Sequence, residues 1–175
     1  MSNKVYISEQ EIKLAAVKLA ATIEQSNFKP DVIVAITRGG MIPAGYVSYF
    51  LNIKNIDIVT VSSYEGEDQD VNLLELQETS LREKLYDIIA DSNNRILFVD
   101  DLIDTGNTLK FIDDNMYAAI NMLRSEAGQL GVEVDIDWRY GVLYTESKNE
   151  KRLSKKVFSG YNKPSGWLVF PWDTK

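Results

Sequence analysis

The chain has 175 residues, 45% of them hydrophobic, with a formal charge of −7 and neither cysteine nor histidine. Its length and apolar share suit one domain, residues 1–175, that buries its own core, while the absent residues exclude a disulfide framework, a thiolate nucleophile, an imidazole base and any metal site not built on oxygen. The acidic balance argues against a nucleic-acid partner, which is gripped through clustered Lys and Arg.

Met1–Ser8 alternates polar and apolar residues without the basic and apolar regions of a secretion signal, and no later run is long enough to span a membrane. A cytoplasmic protein is expected. Ser8 and Glu11 stand at capping-box spacing, and Ile12, Ala15, Ala16, Leu19, Ala20 and Ile23 follow at helical intervals, so an amphipathic helix begins there. Asp31–Thr37, Ile56–Ser62 and Arg95–Asp100 are short apolar runs rich in Val and Ile, the pattern of strands buried on both faces. Helical stretches are predicted at Pro43–Leu51, Ser80–Ala90 and Asn107–Glu126, further strand within Val132–Tyr144, and two short β pieces at Val157–Phe158 and Trp167–Phe170. Alternating strands and helices predict an α/β fold, a doubly wound and mostly parallel sheet whose ligands bind beyond the carboxyl ends of the strands.

One segment carries most of the chemistry. ILFVDDLIDTGNTL, from Ile96 to Leu109, runs from a buried strand into the adjacent carboxylates Asp100 and Asp101, a third at Asp104, and the small-residue turn Thr105-Gly106-Asn107-Thr108 ahead of a helix. Outward-pointing amides of such a turn, the helix dipole and threonine hydroxyls together make a site for a phosphate monoester. The paired carboxylates can accept hydrogen bonds from vicinal sugar hydroxyls and hold a hydrated Mg²⁺. A polar loop ending a strand would explain a lone Asp-Asp pair, but not the whole string. Earlier in the chain, Arg38-Gly39-Gly40 closes the first buried strand; alone it reads as a βα turn bearing a surface arginine.

The string resembles the phosphoribosyl-pyrophosphate signature of type I phosphoribosyltransferases. The order TRGGMIPAG, VTVSSYEG, ILFVDDLIDTGNTL and GWLVFPWD is further similar to bacterial xanthine-guanine phosphoribosyltransferases. The resemblance implies a core over about 28–145, a hood from about 155–175 with the N-terminal region, and a homo-oligomer, dimer or tetramer. It implies that Asp100 and Asp101 hold the ribose hydroxyls and Mg²⁺, that Asp104 stands beside the reacting ring, and that Thr105, Gly106, Asn107 and Thr108 clasp the 5′-phosphate. Arg38 and Gly39 would form the pyrophosphate loop, Trp167 would stack on the purine, and the backbone of Leu168 would read its edge. The implied reaction moves phosphoribose from phosphoribosyl pyrophosphate to a purine base, preferably a 6-oxopurine, as salvage chemistry.

The chain departs from that pattern in three places. The stretch Ser63–Leu81, matching a loop that closes over pyrophosphate, carries Glu65, Glu67, Asp68, Asp70, Glu75 and Glu78, with no basic residue before Arg82. Either Arg82 or Lys84 folds over the site, or the loop is a water-excluding lid. Glu146 occupies the place of a purine-reading lysine, leaving Lys148 to reach back or Glu146 to favour an amino-bearing base such as adenine. Val169 replaces a polar side chain. Two other readings stay open: a non-catalytic sensor of phosphoribosyl pyrophosphate, and a receiver domain, which the phosphate-clasping turn fits poorly.

Overall fold

The computed structural model describes residues 3–61, 71–90, 94–129, 133–146, 153 and 155–173, with side chains left undescribed over 71–79. Strand β1 (Lys4–Tyr6) leads into helix α1 (Glu9–Glu24), followed by β2 (Val32–Thr37), α2 (Met41–Leu51), β3 (Ile56–Thr60) and α3 (Val71–Ala90). Then come β4 (Arg95–Ile103), α4 (Asn107–Gln129), β5 (Asp137–Thr145), β6 (Val157–Asn162), β7 (Trp167–Val169) and a closing 3₁₀ turn at Pro171–Asp173.

Strands β3-β2-β4-β5-β6 form one sheet in that order, with every neighbouring pair parallel. Parallel strands need both faces covered. Val34, Ile36, Phe98, Tyr140 and Val142 pack with α3 and α4 on one face, while Ile33, Ala35, Leu97, Val99 and Leu143 pack with α1 and α2 on the other. The doubly wound expectation is met, with all five strands parallel.

Local chemistry explains the boundaries. The capping box forms as the sequence predicts: the Ser8 hydroxyl accepts from the Glu11 amide at 3.3 Å and the Glu11 carboxylate accepts from the Ser8 amide at 2.8 Å. Helix α3 begins nine residues before the predicted Ser80, within the stretch read as a closing loop. VNLLELQETSL holds no Gly or Pro and is rich in helix formers, so the charge pattern was the wrong guide to that half of the stretch. Strand β4 likewise continues three residues past the predicted Asp100, because β5 pairs with it as far as Ile103↔Thr145. The piece predicted at Val157–Phe158 extends to Asn162 for the same reason, a ladder to β5. Strand β1, which hydropathy did not mark, exists by pairing with β7.

A buried polar knot fixes α4 against the sheet. The Asp113 carboxylate accepts from Trp138 Nε1 at 2.8 Å and from the Tyr140 hydroxyl at 2.7 Å, and burial beside Asp113 pushes the Tyr140 phenol well up. All three residues are buried, so each polar group finds its partner in the others. This holds the first turns of α4, and hence Thr105–Thr108, at a set height over β4 and β5. Among the described residues, no helix is long and apolar enough to cross a membrane.

Candidate active site

Where β2 and β4 end, a cavity of about 580 Å³ opens, lined among others by Arg38, Gly39, Asp100, Asp101, Thr108 and Trp172. It lies beyond the carboxyl ends of the parallel strands, where doubly wound sheets bind ligands. Two packed glycines bring its floor together. A Cβ on Gly40 would collide with the Val99 and Ile36 backbones, and one on Gly39 would collide with the Asp101 carboxylate. The loop that carries Arg38 can therefore lie against β2 and β4 only with glycine at position 40, whereas a side chain at position 39 would displace the Asp101 carboxylate. The Thr37–Arg38 peptide is cis. Helix α2 starts immediately after Gly40, and its first residues Met41 and Ile42 also line the cavity, so its positive end faces the space.

The paired acids sit in the last part of β4. Asp100 accepts from the Asp101 amide at 2.9 Å, and Asp101 accepts from Trp172 Nε1 at 3.2 Å. Burial, followed by the neighbouring Asp101 charge, pushes the Asp100 carboxyl well above its ordinary range. Burial also raises Asp101, with the Trp172 hydrogen bond opposing it. Two desolvated carboxylates side by side attract a cation. Among the described residues no group of three or more acidic side chains converges as a metal cage. The donor set suits Mg²⁺, which binds through one or two carboxylates and keeps its other positions for water and substrate oxygens.

The turn Thr105–Thr108 follows directly. Gly106 takes φ +84°, a left-handed conformation that glycine adopts without strain, and the Asn107 amide donates to the Thr105 hydroxyl at 3.3 Å. Helix α4 starts at Asn107 and extends 23 residues, so a full macrodipole ends at this turn. Thr108 brings its side of the turn to the cavity wall.

A second centre lies where β5 and β6 end. Lys163 donates to Asp104 at 2.6 Å and stands 3.8 Å from Glu146, with its side chain only 9% exposed. Sequence reading missed Lys163. It lies 59 residues from Asp104, outside any motif, and the β4–β5 and β5–β6 ladders together bring the two side by side. Trp172 and Asp173 were also missed as wall residues, although the segment GWLVFPWD had been noticed.

The hood is the two-stranded β1–β7 sheet. Trp167 is 57% exposed, while Leu168 and Phe170 are buried, and Phe170 stacks on Trp172 with ring centres 5.0 Å apart. The Trp167 amide donates to Asn3 and the Val169 carbonyl accepts from Ile7. Alternation along the strand therefore turns the Leu168 backbone groups to the opposite edge. Lys84 is not over the site: it pairs with Asp57 of β3 at 2.7 Å, because α3 lies along that edge strand. The closing-loop residues Glu65, Glu67, Asp68 and Asp70, and Lys148, lie outside the described residues.

A parallel sheet whose strand ends carry a glycine-rich arginine loop, paired acids and a glycine turn at a helix start is an α/β architecture with its cavity beyond the carboxyl ends of the strands. The model of the phosphoribosyl transferase domain matches residues 3–119, and the chain belongs to that family. It is 27% identical over 193 aligned residues to xanthine phosphoribosyltransferase 1 of Saccharomyces cerevisiae, covering 99% of this chain and 91% of the relative. It is 34% identical over 104 residues to the xanthine-guanine phosphoribosyltransferase of Idiomarina loihiensis, covering 56% and 63%. The crystal structure of a purine phosphoribosyltransferase from Pyrococcus horikoshii superposes with a TM-score of 0.61 at 21% identity, covering 98% and 95%. At that identity the structural likeness speaks for the fold.

Proposed function

We propose that this protein transfers phosphoribose from phosphoribosyl pyrophosphate to a purine base, with a 6-oxopurine preferred, giving a nucleoside 5′-monophosphate and pyrophosphate. The observation that carries the reading is the single cavity shared by Arg38, the Asp100–Asp101 pair and Thr108. A ribose bearing a 5′-phosphate and a pyrophosphate needs those three groups together. The names of the xanthine and xanthine-guanine relatives support the choice of base.

In the reaction the bond from ribose C1′ to a pyrophosphate oxygen breaks, a bond from C1′ to a ring nitrogen of the base forms, and the proton of that nitrogen passes to the released pyrophosphate. Positive charge grows on the ribose ring and negative charge on the leaving pyrophosphate. Arg38 and the positive end of α2 stabilise the leaving group, and the carboxylates of Asp101 and Asp104 stabilise the ring. Thr105, Gly106, Asn107 and Thr108 fix the 5′-phosphate, so the sugar is held while C1′ moves between the two partners. Asp100 and Asp101 would hold Mg²⁺, whose role is to neutralise pyrophosphate oxygens. Trp167 offers a ring face for the base, and the outward edge of Leu168 offers backbone groups to it. We further assign one domain over residues 1–175, with the core at 28–145 and the hood formed by 155–175 with the N-terminal region. The protein acts in the cytoplasm as a homo-oligomer.

The test is to mix the protein with phosphoribosyl pyrophosphate, Mg²⁺ and a panel of bases and to follow pyrophosphate release. Turnover with guanine, xanthine or hypoxanthine, abolished by EDTA and restored by excess Mg²⁺, is expected. Tight phosphoribosyl pyrophosphate binding without turnover of any base would make the protein a sensor instead.

A further inference from the structure

A carboxylate at a strand end keeps its rotamer freedom unless its neighbours remove it, and at Asp101 they do. A Cβ built on Gly39 would stand 2.4 Å from Asp101 Oδ2 and 2.7 Å from Oδ1, so the carboxylate fills the space that the missing side chain leaves. From a different part of the chain, Trp172 Nε1 donates to the same Oδ2 at 3.2 Å, across 71 residues of sequence. Gly39, Asp101 and Trp172 all line the cavity that also holds Arg38 and Thr108, so this clamp stands in its wall. An indole N–H donates only and carries no charge. It fixes one oxygen of the acid without cancelling its charge or repelling a cation, as a lysine in its place would.

Trp172 is itself held from behind. Its ring lies parallel to that of Phe170, 4° from coplanar with centres 5.0 Å apart, and Phe170 is buried beside Tyr144. The short turn between them closes on itself: the Asp173 amide donates to the Phe170 carbonyl at 3.0 Å, and the Phe170 amide donates to the Asp173 carboxylate at 2.9 Å. The indole is thus anchored by the segment that follows β7, and it reaches β4 only through its nitrogen. Stacking needs the ring alone, so the N–H is the atom whose role lies outside the packing.

We infer that Trp172 is a positioning residue for the transfer, fixing the Asp101 carboxylate toward the ribose through its indole N–H and fastening that acid to the hood through Phe170. The inference rests on the phosphoribosyl-transfer reading and deepens it. Trp172 then acts through Asp101 and not as a contact to the base.

The experiment uses Trp172→Phe, which keeps a ring to stack on Phe170 and removes the donor. Its kcat should fall by roughly tenfold for hypoxanthine, guanine and xanthine alike, with KM for each base within about twofold and a urea midpoint near the parental one. In an Asp101→Ala background the same substitution should change kcat by less than about twofold, because its partner is gone. A readout independent of turnover is the affinity for ribose 5-phosphate in EDTA, measured by calorimetry, which should weaken by roughly fivefold in Trp172→Phe. Parental kcat or parental ribose 5-phosphate affinity in the folded variant would overturn the inference, as would an undiminished loss in the Asp101→Ala background. A raised KM for the base with parental kcat would make the ring a base contact instead. Should Trp172→Phe fail to fold, the indole N–H resonances of isotope-labelled protein decide: Asp101→Ala should shift one of the three and speed its exchange with solvent, and three unmoved resonances would overturn the inference. A parent inactive with every base would remove the transferase reading itself; an active parent with unchanged kinetics in Trp172→Phe would remove only this inference.

Discussion

The cavity beyond β2 and β4, where we propose that phosphate binds, draws on two continuous segments, Arg38–Gly40 and Asp100–Thr108, whereas the corner beyond β5 and β6 joins the last of those acids, Asp104, to Glu146 and Lys163 from two other places in the chain. The first works through backbone: glycines that permit close approach, helix starts and amides. The second works through side chains at the ends of strands, held by one ammonium between two carboxylates. Backbone sites need particular residues at fixed spacing, while side-chain sites tolerate exchange of position provided the charges meet. That difference accounts for Arg38–Gly40 and Asp100–Thr108 being legible as motifs in the sequence while the corner around Lys163 is not.

Variants can break the comparison at either end. The largest effect is expected where the two ends meet: Asp101→Asn and Asp104→Asn should each lower kcat by on the order of 10²-fold or more while leaving the thermal transition within a few degrees of the parent. Parental kinetics in the folded double variant would refute the site assignment. Next, the adjacent glycines should separate function from folding. Gly39→Ala pushes against the Asp101 carboxylate and should cut kcat by about tenfold with modest loss of stability. Gly40→Ala meets backbone on two strands and should cost about 2–3 kcal/mol, read as a lower urea midpoint.

Thr108→Val sharpens the contrast more gently. It removes a hydroxyl from the cavity wall, so KM for phosphoribosyl pyrophosphate should rise by roughly threefold to tenfold while base selectivity stays parental. The smallest effect concerns stability alone. Because burial raises the folded-state value of the Asp100 carboxyl above its unfolded value, its contribution to stability is full below about pH 4 and is lost as pH rises through the folded value. In EDTA, Asp100→Asn should therefore raise the melting temperature at pH 7 by a few degrees, at about 2–4 °C per kcal/mol for a chain of this size, with the gain vanishing near pH 4. Calorimetric scans across that range would show it. A gain that grew toward acid pH would contradict the assigned desolvation.

The sequence by itself determined what depends on neighbours along the chain. Alternating buried strands and amphipathic helices specified the parallel sheet, the Ser8–Glu11 box specified the start of α1, and the run from Asp100 to Thr108 specified acids ahead of a glycine turn at a helix start. These features are local because periodicity, capping and helix dipoles act within one or two turns of chain. Tertiary structure decided the rest. Strand β1 exists only through β7, β4 continues past the paired acids only because β5 runs beside it, and Lys84 was drawn to Asp57 by the docking of α3. Lys163 reaches Asp104 across 59 residues of chain for the same reason. An ion pair of that span leaves no periodic trace in the sequence, because its geometry is fixed by which strands lie side by side.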